Sequence, residues 1–197
     1  EIHPEARLMF QPRVKLEFVR RYCAPTNGWM VFVDIDASEE GRTGGERSNA
    51  EARARRREME EDGKSVRAAF QALKKVTVGG NRADWFRVNG LPPIAGDRDI
   101  VAFNLKQRLY VIAEVEGASS GQPEQKLYKA MGQIVMAASD PVPNGWERRL
   151  VLVVHGTEIS RHVKRARALK ELKISAVALA NSKDADDWLF HSALPPT

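Results

Sequence analysis

The sequence predicts an α/β fold with a mixed β-sheet covered by helices on both faces. Two observations lead there. Short apolar runs of strand length, such as "LVLVV" (150–154) and "AVALA" (176–180), alternate with longer segments of helical period. Two further runs, "DIVAFN" (99–104) and "RLYVIAEVE" (108–116), are separated only by a tight polar turn around Leu105 to Gln107. That spacing predicts an antiparallel hairpin, which makes the sheet mixed.

The elements follow in order. The first 25 residues read as an arm or a short additional element. "GWMVFVDIDA" (28–37) is a strand. "ASEEGRTGGERSNAEARARRREMEEDGK" (37–64) begins as an exposed loop containing Gly41, Gly44 and Gly45. It continues as a helix with Ser48 as N-cap and Glu51 three residues later. Gly63 marks a break or kink. "SVRAAFQALKKV" (65–76) then carries Val66, Phe70 and Leu73 on one face. "KVTVGG" is a short strand, and "NRADWFRVNG" reads as a loop. After the hairpin, "PEQKLYKAMGQIVMAAS" (123–139) is a helix with Leu127, Met131, Ile134 and Val135 at apolar spacing. "RRLVLVVHG" is a buried strand, "ISRHVKRARALKELK" (159–173) a basic helix and "ISAVALAN" a strand. The expected organisation is an N-terminal arm with an additional strand and loop over 1–47, and an α/β core over 48–197.

Composition narrows the function classes. The 197 residues and 43% hydrophobic content suit one domain with a real core. No apolar run approaches the roughly 20 residues of a membrane span. "EIHPEARLMFQPRVK" lacks the basic-then-apolar order of a signal peptide. The single cysteine, Cys23, excludes an internal disulfide and a cysteine-based zinc site. The expectation is a cytoplasmic protein without a membrane partner. With four histidines and no H-E-x-x-H, a zinc hydrolase is not indicated. Neither a P-loop nor a G-x-G-x-x-G is present, so no nucleotide cofactor is expected. A net charge of +5 is compatible with a polyanionic partner.

The chemistry-bearing feature is a set of carboxylates at strand ends. Glu114 and Glu116 stand two apart, so both project to one face of their strand. Asp99 opens the neighbouring strand, and the hairpin sets it beside Glu114. Clustered acids repel and are costly to bury, and a hard cation offsets that cost. Oxygen-only ligation by two or three carboxylates suits Mg²⁺, with Mn²⁺ as a substitute. Asp99 and Glu114 are the expected ligands.

This order of helix, "DIVAF", "VIAEVEG" and a Gln-containing helix resembles the PD-(D/E)xK nuclease superfamily, to which many restriction endonucleases belong. Asp99 matches its first acid, Glu114 the second, and Glu116 stands where the lysine is usual. Arg98, not proline, precedes Asp99. The resemblance covers about residues 48–182 and implies a restriction-endonuclease-like core. It further implies a Mg²⁺-dependent DNA endonuclease of a restriction system, acting on double-stranded DNA as a homodimer. Asp99, Glu114 and Glu116 would be catalytic. The absent lysine leaves three readings: Glu116 accepts a proton from water, as in the E-x-E minority; Lys126 or Lys129 supplies the charge; or the site binds nucleic acid without cutting it. Lys126 and Gln133 on the following helix, and Ser119 and Ser120 in "GASSG", are candidate DNA contacts. Glu58, Glu60 or Glu61 is a candidate further acid. Arg161, Lys164 and Arg165 at helical spacing suit phosphate contacts, which give salt-dependent affinity without sequence choice. Trp29, Trp85, Trp146 and Trp188 are expected to pack in the core.

Overall fold

The computed structural model describes residues 9–36, 50–118 and 123–190. It contains a seven-stranded mixed sheet with helices on both faces. The strands are β1 (Trp29–Val33), β2 (Val76–Val78), β3 (Ile100–Asn104), β4 (Leu109–Glu116), β5 (Glu147–Val154), β6 (Ile174–Ala178) and β7 (Asp187–Phe190). The helices are α1 (Gln11–Tyr22), α2 (Ala50–Gln71), α3 (Arg82–Val88), α4 (Pro123–Ser139), α5 (Thr157–Arg165) and α6 (Ala168–Glu171). Across the sheet the order is β2-β1-β3-β4-β5-β6-β7. β1/β2, β4/β5 and β5/β6 pair parallel, whereas β1/β3, β3/β4 and β6/β7 pair antiparallel. The carboxyl ends of β1, β2, β4, β5 and β6 therefore share one edge, and β3 starts there.

Each face has its own core. On one, Val14, Phe18 and Val19 of α1 and Val66 and Phe70 of α2 pack against Val111, Ala113 and Val115 of β4. On the other, Trp85 and Phe86 of α3, Leu127 and Ile134 of α4, and Val163 of α5 pack against Tyr110 and Ile112. All of β4 is buried, because it lies at the centre of the sheet under helices on both sides. The hairpin forms as its pattern predicts, with Ile100 opposite Ala113 and a four-residue turn closed by Gln107 N–H donating to Asn104 Oδ1.

Several elements depart from the sequence reading. Of the first 25 residues, those described (9–25) include the short additional element α1, which packs into the core rather than standing outside it. Val14, Leu16, Phe18 and Val19 of α1 are fully buried, and β1 sits inside the sheet between β2 and β3. The boundary at 47/48 thus separates parts of one sheet. α2 runs without interruption through Gly63, which is itself buried. Packing outweighs the roughly 1 kcal/mol helix penalty of a glycine. Ser48, its expected cap, lies outside the described residues. The expected loop at Trp85 is α3, nucleated by Asn81, whose side-chain oxygen accepts from the N–H groups of Ala83 and Asp84. The basic helix divides at Ala166 into α5 and α6. β7 was not anticipated. All four tryptophans pack as expected: Trp29 and Trp85 are buried, and Trp146 and Trp188 lie against the two cores. Among the described residues, no helix is long and apolar enough to cross a membrane.

Candidate active site

The shared carboxyl edge gathers the acids. Val33 pairs with Ile100 and Ile100 with Ala113. One step further, Asp34 and Glu114 flank Asp99, and Asp34 N–H donates to the Asp99 carbonyl at 2.8 Å. Alternation along β4 turns Glu114 and Glu116 toward α4, like Tyr110 and Ile112. A cavity of about 420 Å³ opens at this edge. Asp34, Asp36, Asp97, Asp99 and Glu116 line it, facing Arg98 and the Lys126, Lys129 and Gln133 side of α4.

Each acid has a distinct setting. Asp99 Oδ1 pairs with Lys15 Nζ at 2.8 Å, and Oδ2 accepts from Val115 N–H at 2.7 Å. Lys15 is completely buried and also donates to the Asp34 carbonyl at 2.6 Å. It reaches the sheet edge from α1. Glu114 is 1% exposed and does not line the cavity. Its Oε1 lies 3.6 Å from Arg98 Nη1 and makes no hydrogen bond. Arg98 in turn donates to the Gln133 carbonyl and to Asp140. Burial, then repulsion from Asp99, pushes the Glu114 carboxyl up to about 8 against the pull of Arg98 and Lys15. Glu116 is 4% exposed, and its Oε1 also lacks a hydrogen-bond partner. Burial pushes Glu116 up to about 7; Lys126 opposes the shift and Asp99 adds to it.

The sequence-predicted residues sort clearly. Asp99 and Glu116 share the cavity, with Glu114 held out of it against Arg98. Of the three acids, Asp99 and Glu116 line the cavity wall, and Glu114, paired with Asp99 in register, does not. Lys126 and Gln133 line the same wall, joined by Lys129. Ser119 and Ser120 lie outside the described residues. Arg161 and Arg165 are exposed on α5, and Lys164 pairs with Asp187 at 3.1 Å. Arg161 and Lys164 line a different cavity. Glu58 and Glu61 line a cleft between α1 and α2, and Glu60 pairs with Arg56 on its own helix. None of these three joins the acidic cavity. Sequence reasoning missed Lys15, Asp34 and Asp36. "VDID" after β1 repeats the "AEVE" arrangement of two acids at alternate positions, which is the signal that could have found the second pair.

A hard cation fits part of this set. Among the described residues, no three or more His, Cys, Asp or Glu side chains stand together as a metal-holding group. Mg²⁺, however, is held by one or two carboxylates together with waters and phosphate oxygens. Asp99 and Glu116 supply that number, and the unpartnered buried Glu116 Oε1 is an acceptor a cation would satisfy. No family model matches the chain, and neither does any curated protein or solved structure. What defines the site is its own geometry: an acidic cavity with a cationic rim at the carboxyl edge of an α/β sheet.

Proposed function

We propose that the chain is a Mg²⁺-dependent DNA endonuclease of restriction type, with a restriction-endonuclease-like core, that hydrolyses phosphodiester bonds at the acidic cavity. The observation that carries this reading is the meeting of Asp99 and Glu116 beside Lys126 and Lys129, with a buried Glu116 oxygen left without a partner. Asp99 and Glu116 would hold the ion, and Mn²⁺ would substitute. When bound, the ion supplies positive charge to the phosphate and acidifies its water. The rest falls to the chain. Lys126 and Lys129 offset phosphate charge at the rim, and Gln133 on the same wall is a further polar contact. Glu116 carries a second carboxylate oxygen, which would take the proton of the attacking water. Lys15 fixes the Asp99 carboxylate and supplies a buried positive charge that Glu116 cannot. In the sequence, Lys126 and Lys129 were the candidates for that charge. Arg161, Lys164 and Arg165 contribute phosphate contacts along the same edge. Cutting both strands at a symmetric site calls for a homodimer, because the described residues of each chain form one such acidic cavity.

A second reading is a nuclease-fold protein that binds nucleic acid without cutting it. It is favoured by the engagement of both Asp99 oxygens, with Lys15 and with Val115 N–H. Incubation of supercoiled plasmid with the protein separates the two. Nicked or linear product with Mg²⁺ or Mn²⁺, absent with a chelator, supports the hydrolase. Retention of plasmid in a gel shift without product under either metal supports the binding protein.

A further inference from the structure

The carboxyl ends of β5 and β6 open into a second cavity of about 420 Å³, outside the acidic one. His155, Ser160, Arg161, Lys164 and Asp187 line it. The two cavities share the sheet edge, where His155 N–H donates to the Glu116 carbonyl at 3.1 Å. His155 is only 9% exposed. Its Nδ1 lies 2.8 Å from the Leu179 carbonyl oxygen. A carbonyl can only accept, so Nδ1 carries the proton and Nε2 of the neutral ring is a bare acceptor. No described residue bonds to Nε2. His155 lines the cavity, so Nε2 is an acceptor open to a donor that enters there. The Ser160 hydroxyl is not available to it, because it donates to the Gly156 carbonyl at 2.7 Å. Beside this acceptor stand two cations. Arg161 is exposed and forms no ion pair with any described residue. Lys164 shares its charge with Asp187.

One ligand class satisfies both demands. The anionic part must meet Arg161 and Lys164, and a hydroxyl must donate to His155. A phosphodiester or a sulfate has negative oxygens but no hydroxyl at neutral pH. A singly protonated phosphoryl group has both. We propose that this second cavity binds a singly protonated phosphoryl group, either inorganic phosphate or, below its second pKa of about 6, a terminal phosphate monoester. Its anionic oxygens lie on Arg161 and Lys164, and its hydroxyl donates to His155 Nε2, with Asp187 as the alternative acceptor. Arg161 and Lys164 are shared with the phosphate contacts proposed above, but binding here needs neither a metal nor hydrolysis, so its failure and that of the proposed hydrolysis are distinguishable.

The test is calorimetric titration of the full chain, without metal, using inorganic phosphate and then sulfate. The two ions match in size and, near neutrality, in charge, but only phosphate carries a proton. Phosphate should bind about tenfold or more tighter, the worth of one buried hydrogen bond. His155→Gln should erase the preference. Arg161→Gln, at an exposed position that does not threaten folding, should weaken phosphate by about tenfold. A 5′-phosphorylated oligonucleotide and its unphosphorylated twin, titrated at about pH 6 where much of the monoester keeps a proton, identify the source. A gain from the phosphate that vanishes in Arg161→Gln assigns the site to a nucleic-acid end. Equal binding of the twins, with inorganic phosphate still preferred over sulfate, assigns it to the free ion. Equal affinity for phosphate and sulfate, or an Arg161→Gln variant with unchanged phosphate affinity, would overturn the proposal.

Discussion

Replacing Glu116 by glutamine removes a buried carboxylate while keeping its shape. In the unfolded chain this group ionises near 4.5, and in the folded protein near about 7. Between those values the folded state holds a proton that the unfolded state has released. Stability from this group is therefore complete below about pH 4.5, falls as pH rises and levels off above about 7. The difference between those two values corresponds to about 3 kcal/mol of stability, each tenfold change in proton affinity being worth about 1.36 kcal/mol. Glu116→Gln should thus be about 3 kcal/mol more stable than the parent at pH 8 without metal, and equal to it at pH 4. Guanidinium unfolding followed by the fluorescence of the four tryptophans measures this directly. Taking the difference between the two proteins cancels the contribution of Glu114, which titrates in both. Mg²⁺ at pH 8 should raise the stability of the parent and leave the variant unchanged, because a ligand stabilises only the state that binds it. A variant equally stable at pH 4 and pH 8 relative to the parent would refute the burial argument.

Lys15→Met strips the partner from Asp99 inside the fold and should cost about 3–5 kcal/mol in the same unfolding assay. Adding Asp99→Asn should recover part of that loss, and a strictly additive pair would show that the two groups do not interact. Gly117→Ala places a methyl group 2.6 Å from the backbone nitrogen of Gln11, where α1 begins. The forced shift should cost about 1–3 kcal/mol and lower cavity function along with stability. If Arg161, Lys164 and Arg165 meet phosphates, replacing them together with Ala should flatten the salt dependence of DNA affinity by up to about three phosphate contacts. An unchanged slope would assign α5 to solvent.

The hairpin and the acids on it were legible because β3 and β4 carry their own instructions. Apolar runs fix the strands, a polar turn fixes the register, and register alone sets Asp99 beside Glu114. α1 was illegible for the opposite reason. Pro12 opens it and apolar residues fill it, but Lys15 and Arg21 are buried within it, so it lacks a clean polar face. The burial of Lys15 depends on Asp99, 84 positions away in the chain, and a local pattern cannot report such a partner. α3 is too short at seven residues for a periodic signal, and only its Asn81 cap marks it. Glu114 and Glu116 look equivalent in sequence. Arg98, which holds Glu114 beneath the cavity, separates their roles only in three dimensions.

The most direct test of the central claim is plasmid cleavage with Mg²⁺ by the parent, Asp99→Asn, Glu116→Gln and Glu116→Lys, with DNA binding measured in parallel. The parent alone should cleave and all four should bind, since phosphate contacts come from Lys and Arg outside the acid set. Glu116→Lys should lose activity although it restores the commoner motif, because Lys15 already supplies a buried cation at this edge. A parent that cuts nothing with Mg²⁺ or Mn²⁺, beside a Glu116→Lys variant that gains cleavage, would contradict the account.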